Sequence, residues 1–146
     1  MTCAGFLAAY VIAPELNQKF ELQTAKREFL VKILERFEND NNSISRSSIS
    51  ILDSKDDSEY LKNLKAVSQE ISSLQFQSVQ ISRITSDQDT YVLDYQLALK
   101  KLHNELISYE IGGNRKSVVV ALQEVTKRSL VLYESLLSEI GLAKET

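Results

Sequence analysis

The stretch Ser117–Ile140, SVVVALQEVTKRSLVLYESLLSEI, decides the fold. Its apolar residues recur at helical spacing and fall on one face of a helix: Val118, Leu122, Val125, Leu132, Leu136 and Ile140. Neighbouring apolar residues widen that face, namely Val119, Leu130, Tyr133 and Leu137, whereas Gln123, Lys127 and Glu134 lie opposite. Such a helix needs a partner surface over roughly 35 Å, at about 1.5 Å per residue.

The composition of the chain favours an all-α protein. Its 146 residues include four glycines, one proline and no tryptophan, and 43% of them are apolar. So few turn-forming residues in an apolar chain indicate long helices rather than short strands. We predict an antiparallel up-down bundle of four long helices with an apolar N-terminal extension. The extension takes up residues 1–14, and the helical-bundle domain takes up residues 15–146.

The net charge and the scarcity of cysteine and histidine argue against several classes of function. The net charge is −3 with acids and bases interleaved, so we expect no nucleic-acid partner. Cys3 is the only cysteine, which rules out an intrachain disulfide. His103 is the only histidine and has no carboxylate one turn away; the residue three before it is Lys100, not the Glu of a di-iron bundle. We expect no metal, no cofactor and no enzymatic activity.

The N-terminal run Cys3–Ala13, CAGFLAAYVIA, is apolar all round and ends at Pro14. It is shorter than the ~20 residues of a spanning helix and lacks the basic start of a signal peptide. Three interpretations compete: a buried strap of the bundle, the C-terminal half of a membrane anchor that begins upstream, or a lipid-attachment remnant at Cys3. The anchor interpretation predicts a membrane-tethered, extracytoplasmic domain. The strap leaves a cytoplasmic location open.

The first long helix is predicted over Glu15–Asn39. Its apolar arc comprises Leu16, Phe20, Leu22, Phe29, Leu30, Ile33, Leu34 and Phe37, and a solvated acidic stripe comprises Glu21, Glu28 and Glu35. The segment Asn39–Asn42, NDNN, is expected to break this helix, because short polar side chains compete for the backbone. Ser43–Leu52 is then predicted to be a loop or a short helix that returns to the bundle.

Two further helices follow before the last one. Ser54 and Asp57 resemble a capping box, and a seven-residue seam then contains Tyr60, Leu64, Val67, Ile71, Leu74 and Ile81. A second capping box at Ser86–Asp89 precedes a stripe of Tyr91, Tyr95, Ala98, Leu102, Leu106 and Tyr109. Gly112 and Gly113 are expected to end this third helix, and Asn114 to cap the fourth.

No charged residue occurs between Glu70 and Arg83, which is unusual for an exposed helix. We expect a non-enzymatic interaction or structural domain that acts through a protein partner or self-association, with the membrane as a further partner of Cys3–Ala13. The alternative is a small-ligand-binding, sensor-like module. It would use the Ser/Gln face of the second helix and the tyrosines of the third, with the candidates Gln75, Ser78, Ser82, Tyr91 and Tyr95. Burial of this stretch between neighbouring helices, with Ser and Gln bonded internally, would explain it without a ligand.

Deleting Met1–Ala13 should leave a helical protein that melts cooperatively, because Glu15–Ile140 already supplies four amphipathic faces. The full chain should self-associate or bind detergent more than the deletion variant, since an exposed apolar run needs a partner. Circular dichroism and analytical ultracentrifugation check both points. A melting temperature lower by the several degrees that about 1–2 kcal/mol represents would instead place the segment in the core.

Overall fold

The structure, a computed structural model, describes residues 4–83 and 89–139. This part of the chain contains four helices and no strand: α1 (Ala4–Leu52), α2 (Asp57–Ser82), α3 (Asp89–Ile107) and α4 (Lys116–Glu139). The predicted all-α class is therefore confirmed. The capping box expected to start at Ser86 lies outside the described residues, as do Ile140 and the side chain of Leu16.

The chain divides into two units, residues 1–32 and 33–146. In the first unit the backbone is helical from Ala4 onward. The side chains of Phe20, Leu22 and Phe29 are exposed, so the predicted apolar arc is wrong for these three residues. Leu30 is buried, and the acidic residues Glu21 and Glu28 are exposed as expected.

Side-chain hydrogen bonds give the directions of the helices in the second unit. Ser43 and Ser47 of α1 donate to Glu70 of α2, and Ser50 O accepts from Asn63 Nδ2. Later residues of α1 thus meet earlier residues of α2, which makes the two helices antiparallel. The Ser68–His103 and Ser78–Gln96 contacts show the same for α2 and α3.

The last pair of helices completes the up-down arrangement. Arg128 of α4 bonds to Asp94 near the start of α3, with 2.8 Å between Nη1 and Oδ2. Lys101, later in α3, shares a surface depression with Ser117 and Val120 at the start of α4. These contacts make α3 and α4 antiparallel, as the predicted four-helix bundle requires.

The segment Asn39–Asn42 does not break α1, contrary to prediction. Asp40 Oδ2 accepts from Gln77 Nε2 of α2, and Asn41 Oδ1 accepts from the Tyr95 hydroxyl of α3 at 2.9 Å. The Asn41 amide donates to the carbonyl of Phe37 within the helix at 2.7 Å. The side chains of Asp40 and Asn41 therefore have partners that leave the helical backbone bonds intact.

Ser43–Leu52 continues α1 as its last turns, so the predicted loop or separate short helix is wrong. Ile44, Ile51 and Leu52 are buried in the core. Three of the serines between them bond to the preceding turn or to α2: Ser45 donates to Asn41 O, Ser50 to Arg46 O and Ser47 to Glu70. The partial alternation of Ser and Ile thus belongs to a helix, not to a strand.

Two helix ends differ from the predicted positions. Asp56 caps α2 by accepting from the Glu59 N–H at 2.9 Å, and Glu59 Oε2 accepts from the Lys55 N–H at 2.9 Å. The capping motif of Asp56 and Glu59 lies two residues beyond the predicted one at Ser54. Helix α3 ends at Ile107 rather than at Gly112.

The glycines lie in the turn between α3 and α4. Gly112 has φ +78°, in the left-handed region that favours glycine. At Gly113 an added Cβ would lie 2.8 Å from the carbonyl oxygen of Glu110. Asn114 Oδ1 accepts from the Lys116 N–H at 2.9 Å, which confirms its predicted capping role.

The core agrees with the predicted stripes at most positions. Fully or nearly fully buried side chains include Phe37, Val67, Ile71, Leu74, Ile81, Leu102, Leu106, Val118, Val125, Leu132 and Leu136. On α4 the predicted face is too wide, because Val119 and Leu130 are exposed. The apolar character of a residue does not by itself show which edge of a helix contacts a neighbouring helix.

Leu102→Ala and Leu132→Ala should each lower the free energy of unfolding by about 2–5 kcal/mol, because both side chains have zero exposure. Leu97→Ala and Leu130→Ala are matched controls on the same helices. Each of these leucines is 56% exposed, and their loss should cost less than about 1 kcal/mol. Urea denaturation measures all four, and equal losses at buried and exposed positions would contradict the assigned core.

Candidate functional site

The five predicted ligand-face residues occupy different environments. Tyr95 is buried in the core, with its ring centroid 5.2 Å from that of Phe37. Ser78 is buried between α2 and α3, where its hydroxyl accepts from Gln96 Nε2 at 2.9 Å and donates to Gln75 O at 2.7 Å. Gln75 and Ser82 are half-buried, and Tyr91 is exposed. The hydroxyls of Ser78 and Tyr95 are therefore already bonded within the bundle.

Burial raises the pKa of the Tyr95 hydroxyl far above its usual value. The hydrogen bond to Asn41 opposes this shift, and the negative charge of Asp40 adds to it. The phenol is thus held neutral, as a donor to Asn41. Its structural task is to join α3 to the middle of α1.

His103 contacts a serine but no carboxylate that the structure shows. Its Nε2 lies 2.9 Å from Ser68 Oγ, and Ser68 donates its own proton to Leu64 O at 2.8 Å. With that proton committed, the imidazole N–H donates to Ser68. A nucleophilic serine needs the reverse arrangement, with its hydroxyl donating to the base.

Within residues 4–83 and 89–139, no group of three or more His, Cys, Asp or Glu side chains is arranged to hold a metal ion. None of the described helices is both long enough and apolar enough to span a bilayer.

Exposed residues of α2 and α3 form a continuous surface, which we call the α2–α3 outer face. On α2 they recur at steps of three and four: Leu61, Lys65, Gln69, Ser72, Phe76, Val79 and Arg83. On α3 the same spacing gives Leu93, Leu97, Lys100, Asn104 and Ile107. Each set lies along one side of its helix.

The register between the two helices places the apolar members side by side. The Ser78–Gln96 hydrogen bond sets residues 76–79 of α2 level with residues 93–97 of α3. Phe76, Leu93 and Leu97 are 65%, 55% and 56% exposed, and Val79 is 38% exposed. The centre of the outer face is therefore apolar and open to solvent.

The described side chains of the outer face carry positive charge only, from Lys65, Arg83 and Lys100. Two carboxylates on these helices have partners elsewhere: Glu70 accepts from two serines of α1, and Asp94 bonds to Arg128 of α4. A chain of net charge −3 thus presents one cationic, apolar surface.

The sequence drew attention to the uncharged stretch after Glu70. The residues predicted there, Gln75, Ser78 and Ser82, lie beside the outer face and do not belong to it. The outer stripe of α3 was not predicted, because Leu93 and Leu97 border the buried tyrosine stripe in sequence. A signal for this stripe is present in the sequence. It is a second set of residues at three-four spacing on the same helix: Leu93, Leu97, Lys100 and Asn104.

Comparisons with protein families, curated proteins and solved structures found no significant match.

Replacing Tyr95 with Phe should change how stability depends on pH. Because the folded pKa of Tyr95 is raised above the unfolded value of about 10, its contribution is complete below pH 10 and is lost as pH rises further. The wild type should lose up to about 1.4 kcal/mol per pH unit above pH 10 from this group. In Tyr95→Phe that loss should disappear.

The same substitution should cost about 1–3 kcal/mol at neutral pH, because Asn41 Oδ1 loses its donor. Tyr91→Phe is the matched control at an exposed position and should change neither quantity. Urea denaturation between pH 7 and 11 measures both effects. An unchanged alkaline slope in Tyr95→Phe would contradict the assigned environment.

Proposed function

We propose that the protein is a non-enzymatic helical-bundle interaction domain that binds a protein partner through its α2–α3 outer face. The observation that carries this proposal is the exposed apolar cluster of Phe76, Val79, Leu93 and Leu97, on a face whose described side chains include no carboxylate. Contiguous exposed apolar side chains with a polar rim are typical of protein interaction sites.

The chemistry of the face specifies the partner. Apolar side chains at its centre require an apolar stripe, and the cations Lys65, Arg83 and Lys100 favour carboxylates beside that stripe. Two antiparallel helices form a shallow groove in which a third helix can pack. We therefore propose an amphipathic helix with acidic flanks as the partner.

Two copies of the face would be poor partners for each other, because their cations would meet like charges. The ligand-module alternative has weaker support, since the hydroxyls of Ser78 and Tyr95 already bond to Gln96, Gln75 and Asn41. A membrane tether through Cys3–Ala13 stays a separate hypothesis, which deletion of Met1–Ala13 tests.

A pair of designed peptides tests the partner chemistry. One has Leu at helical three-four spacing with Glu and Gln elsewhere, and the other has Lys in place of each Glu. Fluorescence anisotropy should show the acidic peptide binding at least about tenfold more tightly, equivalent to about 1.4 kcal/mol. The preference should weaken with salt, because the charges are exposed.

The double substitution Phe76→Ser with Leu97→Ser should abolish binding of the acidic peptide, since both side chains form the apolar centre. Leu130→Ser is the matched control, because Leu130 on α4 has the same 56% exposure as Leu97. Equal affinity for both peptides would contradict the proposal, as would an equal loss in Leu130→Ser. Binding to phosphatidylserine vesicles without binding to the peptide would point to a membrane instead.

A further inference from the structure

A groove of about 250 Å³ lies between α1 and α4 in the unit 33–146. Phe37, Val125 and Leu130 supply its apolar lining, and Asn42, Ser45 and Thr126 are among its polar residues. A volume of this size admits a small organic molecule. It involves neither helix of the α2–α3 outer face.

Three hydroxyls that line the groove already donate hydrogen bonds to backbone carbonyls of their own helices. Ser45 donates to Asn41 O at 3.0 Å, Thr126 to Leu122 O at 3.1 Å, and Ser129 to Thr126 O at 2.8 Å. A hydroxyl has one proton and two lone pairs, so in this arrangement the three oxygens present lone pairs to a further molecule. A ligand that donates hydrogen bonds fits this arrangement better than one that accepts them.

The charge of the lining has one sign. Glu38 is the only ionisable acid or base among the lining residues, apart from the phenol of Tyr133. The half-buried ring of Tyr133 adds aromatic surface, and aromatic rings attract cations. The carboxylate, the hydroxyl oxygens and this ring together favour a cation in a groove with an apolar lining.

We propose that the α1–α4 groove binds a small protonated amine with an apolar body. The ammonium group donates to the oxygens of Ser45, Thr126 or Ser129 and lies in the field of Glu38. The apolar body packs against Phe37, Val125 and Leu130. An anion of the same size would be repelled by Glu38 and would receive no hydrogen bond from the three hydroxyls. The groove should therefore not bind it.

Three probes of similar size and shape separate the contributions. Benzylammonium carries the charge, benzyl alcohol is its neutral counterpart, and benzoate is the anion. Amide chemical shifts of the isotope-labelled full chain should move saturably with benzylammonium, with the largest changes at Asn42, Ser45, Thr126 and Tyr133. Benzyl alcohol should bind at least about fivefold more weakly, and benzoate should not bind.

Glu38→Gln should weaken binding of benzylammonium about three- to fivefold, the range for a partly exposed charge. Glu110→Gln is the matched control, since it removes the same charge at an exposed residue of the α3–α4 turn. Ser45→Leu, which adds apolar bulk to the groove, should abolish binding. Glu38 is exposed and makes no hydrogen bond or ion pair that the structure shows, so Glu38→Gln should fold even where Ser45→Leu does not.

Several results would overturn the proposal. They are benzoate binding as tightly as benzylammonium, equal losses in Glu38→Gln and Glu110→Gln, and shift changes confined to α2 and α3. The absence of saturable shifts up to roughly 10 mM would do so as well, since even weak ligands of this size are detected there. The α2–α3 outer face has its own peptide test, so failure of the groove proposal can be distinguished from failure of the proposed function.

Discussion

The continuity of α1 through Asp40 and Asn41 is the constraint on which the bundle depends. An isolated NDNN sequence favours a turn, because its side chains compete for backbone hydrogen bonds. In the bundle, Gln77 donates to Asp40 and Tyr95 donates to Asn41, so α2 and α3 each hold one of these side chains. If α1 ended at Asn39, Ile44, Ile51 and Leu52 would leave the core, and the bundle would lose one wall of the α1–α4 groove.

The continuity of α1 also affects which charged side chains lie on the α2–α3 outer face. The last turns of α1 bring Ser43 and Ser47 to Glu70, which draws the carboxylate of α2 toward α1 and away from the outer face. Arg128 does the same for Asp94 of α3, and its hydrogen bond lowers the pKa of its second partner, Glu124. Among the described side chains of the outer face, the charged ones beside Phe76 and Leu97 are all cations. The carboxylates that bond between helices are thus not part of the surface proposed to bind a partner.

The sequence predicted what depends on period and composition. Four helices, the seven-residue seam of α2 and the buried centres of α3 and α4 follow from apolar spacing within each helix. The errors arose where a distant residue overrides a local preference. No local pattern shows that Gln77 and Tyr95 will bond to Asp40 and Asn41, or that Leu130 lies outside the core. The outer face could be predicted only in part for the same reason. The spacing of residues on α2 shows an exposed stripe on that helix, but only the structure shows that the stripe of α3 lies beside it.

The polar contacts fix the register of the helices more than they stabilise them. Ser48 Oγ, Glu70 Oε2 and Gln77 Oε1 are buried and have no hydrogen-bond partner in the part of the chain that the structure describes. Each such atom costs about 1–3 kcal/mol, which offsets much of what the neighbouring bonds contribute. Stability must therefore come mainly from the apolar core, which includes Leu102 and Leu132. An apolar seam that repeats every seven residues could slide by one repeat, whereas each of these side-chain bonds forms in a single register. The Gln77 bond to Asp40 fixes α2 against α1. The Gln96 bond to Ser78 fixes α3 against α2, and that register sets Phe76 and Val79 level with Leu93 and Leu97.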